Sequence, residues 1–309
     1  MTARPVPAAL AASADHKLYG QPVLLYAGPA SWLDVRFANA ANGWFYGGLP
    51  NGGPILWSTH DGGASWHQQR LPGLGPDDAI FDLEAADGTV YFMATATSGT
   101  SVVVESSPVA KDAWRADRTP PLLLPAGGAQ AGGAIVLLGE KGWLVEGNDR
   151  GITGSAELEG QGTWGRWAPP CQAVGNSYTV PATPNGTDFV AVCVMGGFGD
   201  VPPKHAPPRA TLGSSWLYVS GNRGQSFRPG PELGPRNDIF GGVLASPRPA
   251  SVVTSRWYDH EDLVASFDGG HHWQVVYRGY FFYLGFTSAS QGVGLSEPPT
   301  GSSATTVMS

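Results

Sequence analysis

The densest chemistry in the chain is a seven-residue run, Arg256-Trp257-Tyr258-Asp259-His260-Glu261-Asp262, which sets aromatic, basic and acidic groups side by side. Aromatic faces next to carboxylates suit stacking on sugar rings and hydrogen bonding to their hydroxyls. Arg236 and Asp238, from the connection before it, complete this set of ligand-binding candidates. The plain alternative is a solvated hairpin tip. Lys204, His205 and Arg209 lie in a Pro-rich insert, and long loops are where function collects. His60, His67, His271 and His272 recur near two similar turns, but those turns are far apart in the chain. No metal site is assigned to them. Asp61 and Asp268 look catalytic in isolation, yet each sits inside a turn that needs a carboxylate.

Those turns are Thr59-His60-Asp61-Gly62-Gly63-Ala64-Ser65-Trp66 and Ser266-Phe267-Asp268-Gly269-Gly270-His271-His272-Trp273. Each follows a short apolar run and precedes another. The aspartate can accept backbone N–H bonds within the turn. The glycines allow positive φ without steric cost. The tryptophan covers the turn and buries a large apolar surface.

Weaker copies lie between the two, at Ser220–Phe227, Ser155–Trp164 and Ser106–Trp114. The closing aromatics Trp66, Trp114, Trp164, Phe227 and Trp273 are separated by 48, 50, 63 and 46 residues. A four-stranded propeller blade takes about 40–50 residues. The long interval holds the Pro-rich stretch Gly199–Thr211. Asn42-Gly43-Trp44 and Lys141-Gly142-Trp143 read as tight entries to a second strand. No sustained 3.6-residue apolar period appears, so helices should be scarce. The expectation is an all-β fold, a single β-propeller of about six four-stranded blades, or seven if the chain is a truncated piece. Residues 1–16 form a lead-in and 17–309 the propeller. The last blade has three strands of its own, and a strand over 18–26 would complete it.

The eight-residue turns resemble the Asp-box, or BNR repeat, of sialidase-like β-propellers. The resemblance implies structural roles for Thr59, Asp61, Gly63, Trp66, Ser266, Asp268, Gly270 and Trp273. The pairing of an Asn-Gly-Trp strand with such a turn is similar to the photosystem II assembly-factor-like and BNR-like repeat proteins. It implies a non-catalytic binding or scaffold module for a glycan or a protein, acting through the face at the channel mouth. The sialidase branch implies the alternative, an exo-sialidase or other glycoside hydrolase. Its substrate carboxylate would be clamped by Arg36, Arg256 and Arg278, with Tyr283 or Tyr280 as nucleophile and Asp77 as acid. The Arg-Ile-Pro-like motif of that branch is missing, since Arg36 sits in Asp34-Val35-Arg36-Phe37-Ala38.

Composition fits one propeller. The 309 residues include 44 Gly, 27 Pro and 11 Trp, and 42% are apolar, which is too much for disorder. A net charge of −7 without any basic run argues against nucleic acid. No stretch is long and apolar enough for a transmembrane span. No cofactor is implied, and a monomer is expected. Cys171 and Cys193 permit one disulfide, or two buried thiols. A secreted or cell-envelope location in a bacterium is expected, although the N-terminus does not read as a signal peptide.

Overall fold

The computed structural model describes residues 32–49, 53–71, 73–86, 88–95, 101–122, 132–138, 140–148, 151–160, 162–170, 177–182, 189–195, 215–233, 239–248, 250–257, 261–279, 281–288, 291–296 and 306–308. The fold is an all-β propeller. Blade 1 is β1 (Trp32–Phe37), β2 (Gly43–Gly48), β3 (Pro54–Thr59) and β4 (His67–Gln68). Blade 2 is β5 (Ile80–Ala86), β6 (Thr89–Thr95), β7 (Val102–Pro108) and β8 (Arg115–Ala116). Blade 3 is β9 (Gly132–Leu138), β10 (Lys141–Asn148), β11 (Gly151–Gly160) and β12 (Thr163–Arg166). Blade 4 is β13 (Ser177–Ala182), β14 (Phe189–Met195), β15 (Ser215–Ser220) and β16 (Arg228–Glu232). Blade 5 is β17 (Ile239–Arg248), β18 (Ser251–Trp257), β19 (Glu261–Ser266) and β20 (Gln274–Arg278). All neighbours within a blade are antiparallel.

The expected six or seven four-stranded blades are corrected to five. The sixth sheet, β21 (Phe281–Ser288), β22 (Gln291–Ser296) and β23 (Thr306–Met308), has three strands among the described residues. The sequence expectation adds a fourth strand to this sheet. The strand expected over 18–26 to supply it, and the lead-in before it, lie outside the described residues. No α-helix occurs among the described residues, and none is long and apolar enough to cross a membrane.

The core lies in the seams between blades. In β14 the alternation of a strand sends Phe189 and Ala191 to the blade 3 side and Val190 and Val192 to the blade 5 side. Both faces are covered, so the strand reads as an unbroken apolar run. Trp44 and Tyr46 fill the seam between blades 1 and 2, and Trp143 with Phe189 fills that between blades 3 and 4.

Three turns after a third strand share one hydrogen-bond scheme. In the first, Gly63 N donates to Thr59 Oγ1 (2.8 Å) and Ser65 N to Asp61 Oδ1 (2.9 Å). In the second, Gly224 N donates to Ser220 Oγ (2.9 Å) and Ser226 N to Asn222 Oδ1 (3.0 Å). In the third, Gly270 N donates to Ser266 Oγ (2.8 Å) and His272 N to Asp268 Oδ1 (2.9 Å). Gly62 and Gly269 take φ of 73° and 75°, and Arg223 takes 58° at the same place. The first and third of these turns touch the first hairpin turn of their own blade, as Gly62 N bonds Ala41 O and Gly269 N bonds Ala250 O. Both sets of turns therefore occupy one face of the ring.

These turns also lock the seams, because from blade 2 onward each seats on the preceding blade. Asp112 in blade 2 accepts from Ser58 Oγ (2.8 Å), Gln69 Nε2 (2.8 Å) and His60 Nε2 (3.1 Å) of blade 1. Trp164 Nε1 of blade 3 donates to Asp117 of blade 2 (3.0 Å). Gly224 O of blade 4 accepts from Trp167 Nε1 beside blade 3 (2.9 Å). A Cβ on Gly270 of blade 5 would press on Leu217 and Pro231 of blade 4.

Candidate functional site

Two inner strands carry charge where an apolar strand would suffice. In β1 the two-residue period puts Asp34 and Arg36 on one face, and in β5 it does the same for Asp82 and Glu84. Tyr46 of β2 stands opposite Asp34 in the antiparallel register. These five side chains meet beside the central channel. Arg36 Nη1 donates to Asp34 Oδ1 (3.0 Å) and its Nε to Glu84 Oε1 (3.2 Å), while Nη2 lies 4.0 Å from Asp82 Oδ1. The Tyr46 hydroxyl reaches Asp34 Oδ2 (3.2 Å) and Asp82 Oδ1 (3.4 Å). Asp82 Oδ2 accepts from Ile135 N of β9 (2.5 Å), and its Oδ1 from Leu83 N (2.9 Å). One aspartate therefore links blades 1, 2 and 3.

The electrostatics follow from burial and from the count of charges. Removal from water disfavours the carboxylate form and lifts Asp82 to about 6, against the pull of Arg36 and the Ile135 N–H. Desolvation lifts Glu84 to about 7, with the charges of Asp82 and Asp34 adding to it and Arg36 opposing it. Burial alone would favour a neutral guanidinium, but Tyr46, Glu84, Asp34 and Asp82 outweigh it and hold Arg36 firmly protonated. Burial likewise holds the Tyr46 phenol un-ionised. The Glu84 side chain remains 30% exposed, so the cluster is not sealed from solvent at that point. Chemically, it presents carboxyls able to donate or accept a proton near neutral pH. It is poor as a clamp for an anion, because its one guanidinium already faces three acids.

The sequence-predicted residues fall as follows. Arg36 belongs to this cluster. Arg256 on β18 is opposite Asp262 on β19 and pairs with it (Nη2–Oδ2 2.8 Å), within blade 5. Arg278 is exposed on β20, the outermost strand of that blade. With Arg36 on the innermost strand of blade 1, the three arginines are not brought together. Asp77 is exposed in the turn before β5. Tyr283 lies on β21, Trp257 ends β18 and Glu261 begins β19. Trp257 and Glu261, paired in the register, stand at the end of β18 and β19 away from the Asp268 turn. Tyr258, Asp259, His260, Arg236, Asp238, Tyr280, Lys204, His205 and Arg209 lie outside the described residues.

Asp61 and Asp268 are spent within their turns. The Ser65 hydroxyl and N–H and the Thr59 hydroxyl bring Asp61 down to about 2. Bonds from the His272 ring and N–H hold Asp268 well below the usual carboxylate range. No group of three or more His, Cys, Asp or Glu suited to a metal ion occurs among the described residues. Cys193, fully buried on β14, is disulfide-bonded, and Cys171, the only other cysteine in the chain, lies outside the described residues.

Tyr46, Asp82 and Glu84 were missed from the sequence, and Asp34 entered only as a neighbour of Arg36. A usable signal was present. Asp-x-Arg in β1 and Asp-x-Glu in β5 interrupt inner strands at positions that face the channel.

No protein-family model matches this chain, and no curated protein matches it. Solved structures do. An α-L-arabinofuranosidase from Fusarium graminearum is similar with a TM-score of 0.52 and 12% identity, over 89% of this chain and 90% of that one. An ancestral GH74 enzyme is similar with a TM-score of 0.54 and 10% identity, over 86% of this chain and 38% of that one. YCF48 bound to a D1 peptide aligns with a TM-score of 0.45 and 18% identity, over 89% of this chain and 94% of that one. At such identities the likeness is one of fold. It agrees with the BNR-like propeller resemblance read from the sequence.

Proposed function

We propose that this chain is a non-catalytic Asp-box propeller, a binding or scaffold module that takes a glycan or protein ligand at the channel-mouth face. The observation that supports this reading is the state of the arginines. Arg36 is engaged by Asp34 and Glu84, Arg256 pairs with Asp262, and Arg278 stands on an outer strand. A three-arginine clamp for a substrate carboxylate has no support in that arrangement. The turns holding Asp61 and Asp268 act as seam locks in this reading, and the Arg256–Asp262 segment is the one assigned to the ligand. The Cys193 disulfide favours an oxidising compartment, in line with secretion or a cell-envelope location.

One observation favours glycoside hydrolysis as a second reading. Asp82 and Glu84 stay protonated unusually far towards neutral pH, as a general acid for glycosidic oxygen must. A fluorogenic sialoside and a panel of aryl glycosides, with the wild type and Glu84→Gln, separate the two. Turnover abolished by that substitution would establish the hydrolase. A folded protein without turnover, whose binding to a glycan array or a protein partner falls on alanine replacement across Arg256–Asp262, would establish the binding module.

A further inference from the structure

We propose that Asp34, Arg36, Tyr46, Asp82 and Glu84 form a proton-operated latch that ties the inner strands of blades 1, 2 and 3, tight at mildly acidic pH and loosened as pH rises to neutral. The latch stands whether the propeller binds its ligand or hydrolyses it. Its links run across seams rather than within one blade. Arg36 to Glu84 and Tyr46 to Asp82 cross from blade 1 to blade 2. Ile135 N to Asp82 crosses from blade 3 to blade 2. Asp82 is thus common to both seams.

Among the described residues, the groups around the two blade 2 acids are few. β1 presents Asp34 and Arg36, and β2 presents Tyr46. β9 presents the Ile135 N–H and has no ionisable side chain over Gly132–Leu138. On β6 the one titratable residue is Tyr91, opposite Glu84 in the register with its ring packed on Trp164. A single guanidinium offsets one carboxylate out of three, and the excess is relieved only by protons. When those protons leave, like charges are pressed together at the crossing point of the seams, where little water screens them.

The sign follows from linkage. The closed latch holds a proton up to about pH 7 on Glu84, whereas an opened seam returns that carboxyl to its ordinary value of 4.5. Between those limits the closed form binds more protons, so opening rises about tenfold per pH unit and levels off above about pH 7.

Amide hydrogen exchange of β1 and β5, corrected for intrinsic pH dependence and compared with β18 and β19 of blade 5, reads the latch. The expected result is a roughly hundredfold rise in opening of β1 and β5 from pH 5 to pH 7, with β18 and β19 flat. Glu84→Gln should flatten the β1 and β5 profile, and Asp82→Asn should do so if Glu84→Gln does not fold. Carboxyl carbon resonances of the wild type give a second reading that needs no variant. Equal pH slopes in both blades, a slope retained in both variants, or Asp82 and Glu84 both titrating near pH 4 would overturn the latch.

Discussion

Replacing Arg36 by Met keeps much of the side-chain volume and removes the only positive charge in the cluster. Two close contacts are lost, to Asp34 at 3.0 Å and to Glu84 at 3.2 Å. At an effective dielectric of about 20, each is worth roughly 5 kcal/mol of attraction before desolvation is counted. Burying the guanidinium offsets most of that gain, so the intact network contributes far less than the sum. Breaking it is costly for a different reason, since Asp34, Asp82 and Glu84 are left facing one another without a counter-charge. Removing one partner of a buried pair costs about 3–5 kcal/mol. Against a domain stability of about 5–15 kcal/mol that is a large fraction.

The pH dependence makes this a sharp test. At pH 8 the carboxyls of the variant must either ionise against each other or bind protons at a cost. At pH 5 Asp82 and Glu84 are already largely protonated, given values of about 6 and about 7 with the arginine present. Urea denaturation followed by tryptophan fluorescence should therefore show a loss of about 3–5 kcal/mol at pH 8 and about 1–2 kcal/mol at pH 5. A variant within about 0.5 kcal/mol of wild type at both values would refute the account, because that is the range of a surface substitution. An equal loss at both values would show that packing of the Arg36 stem, not its charge, is what matters.

Asp61→Ala should lower the melting temperature while leaving ligand binding at the opposite face unchanged, and loss of binding at an unchanged melting temperature would contradict the structural role. The folded Asp61 carboxyl is depressed to about 2, so its contribution is full above about pH 4 and fades as pH falls towards 2, which an acid melting series reads. Arg223→Gly should stabilise by about 0.5 kcal/mol in urea denaturation, since a positive φ of 58° burdens any side-chain-bearing residue and the Gly entropy cost offsets only part of the relief. Gly62→Ala should do the reverse, because the added Cβ would lie 2.9 Å from Ala40 O. Glu105→Gln should stabilise by about 1 kcal/mol at pH 8 and by little at pH 4, measured by the same denaturation. Burial raises that carboxyl, its Oε2 has no hydrogen-bond partner, and stability tied to its proton is lost as pH rises.

The propeller was legible because its signal is repeated. The Thr59–Trp66 and Ser266–Trp273 turns are short, local and rich in residues with one purpose each, and the spacing of their aromatics counts the blades. The sixth sheet was read with the three strands it has, but a strand brought in from the other end of the chain, over 18–26, is a tertiary pairing that no local pattern specifies. The site was less legible for a related reason. Arg36 was visible as an arginine near the start of blade 1, but its partners Asp82 and Glu84 are a blade away in sequence, and only the ring closes that distance. Arg256 shows the converse. Its neighbours in the chain suggest a ligand-binding tip, yet the antiparallel register of β18 and β19 puts Asp262 opposite it and pairs the two.

The register itself argues that the charged cluster is not a requirement of the fold. Asp34 is opposite Tyr46, Asp82 is opposite Met93, and in blade 3 Ala134 is opposite Val145, so an uncharged inner strand serves the same place in the sheet. Arg36 opposite Trp44 corresponds in the same way to Val136 opposite Trp143. An apolar pair at those positions would avoid the desolvation that lifts Asp82 and Glu84. Charge held where apolar residues would be more stable is a local departure from what folding favours, and such departures concentrate at functional sites. By that reasoning the channel between blades 1 and 2 is where function should be sought first, and the charged turns on the opposite rim, whose bonds are satisfied by their own backbone and the neighbouring blade, are where it should be sought last.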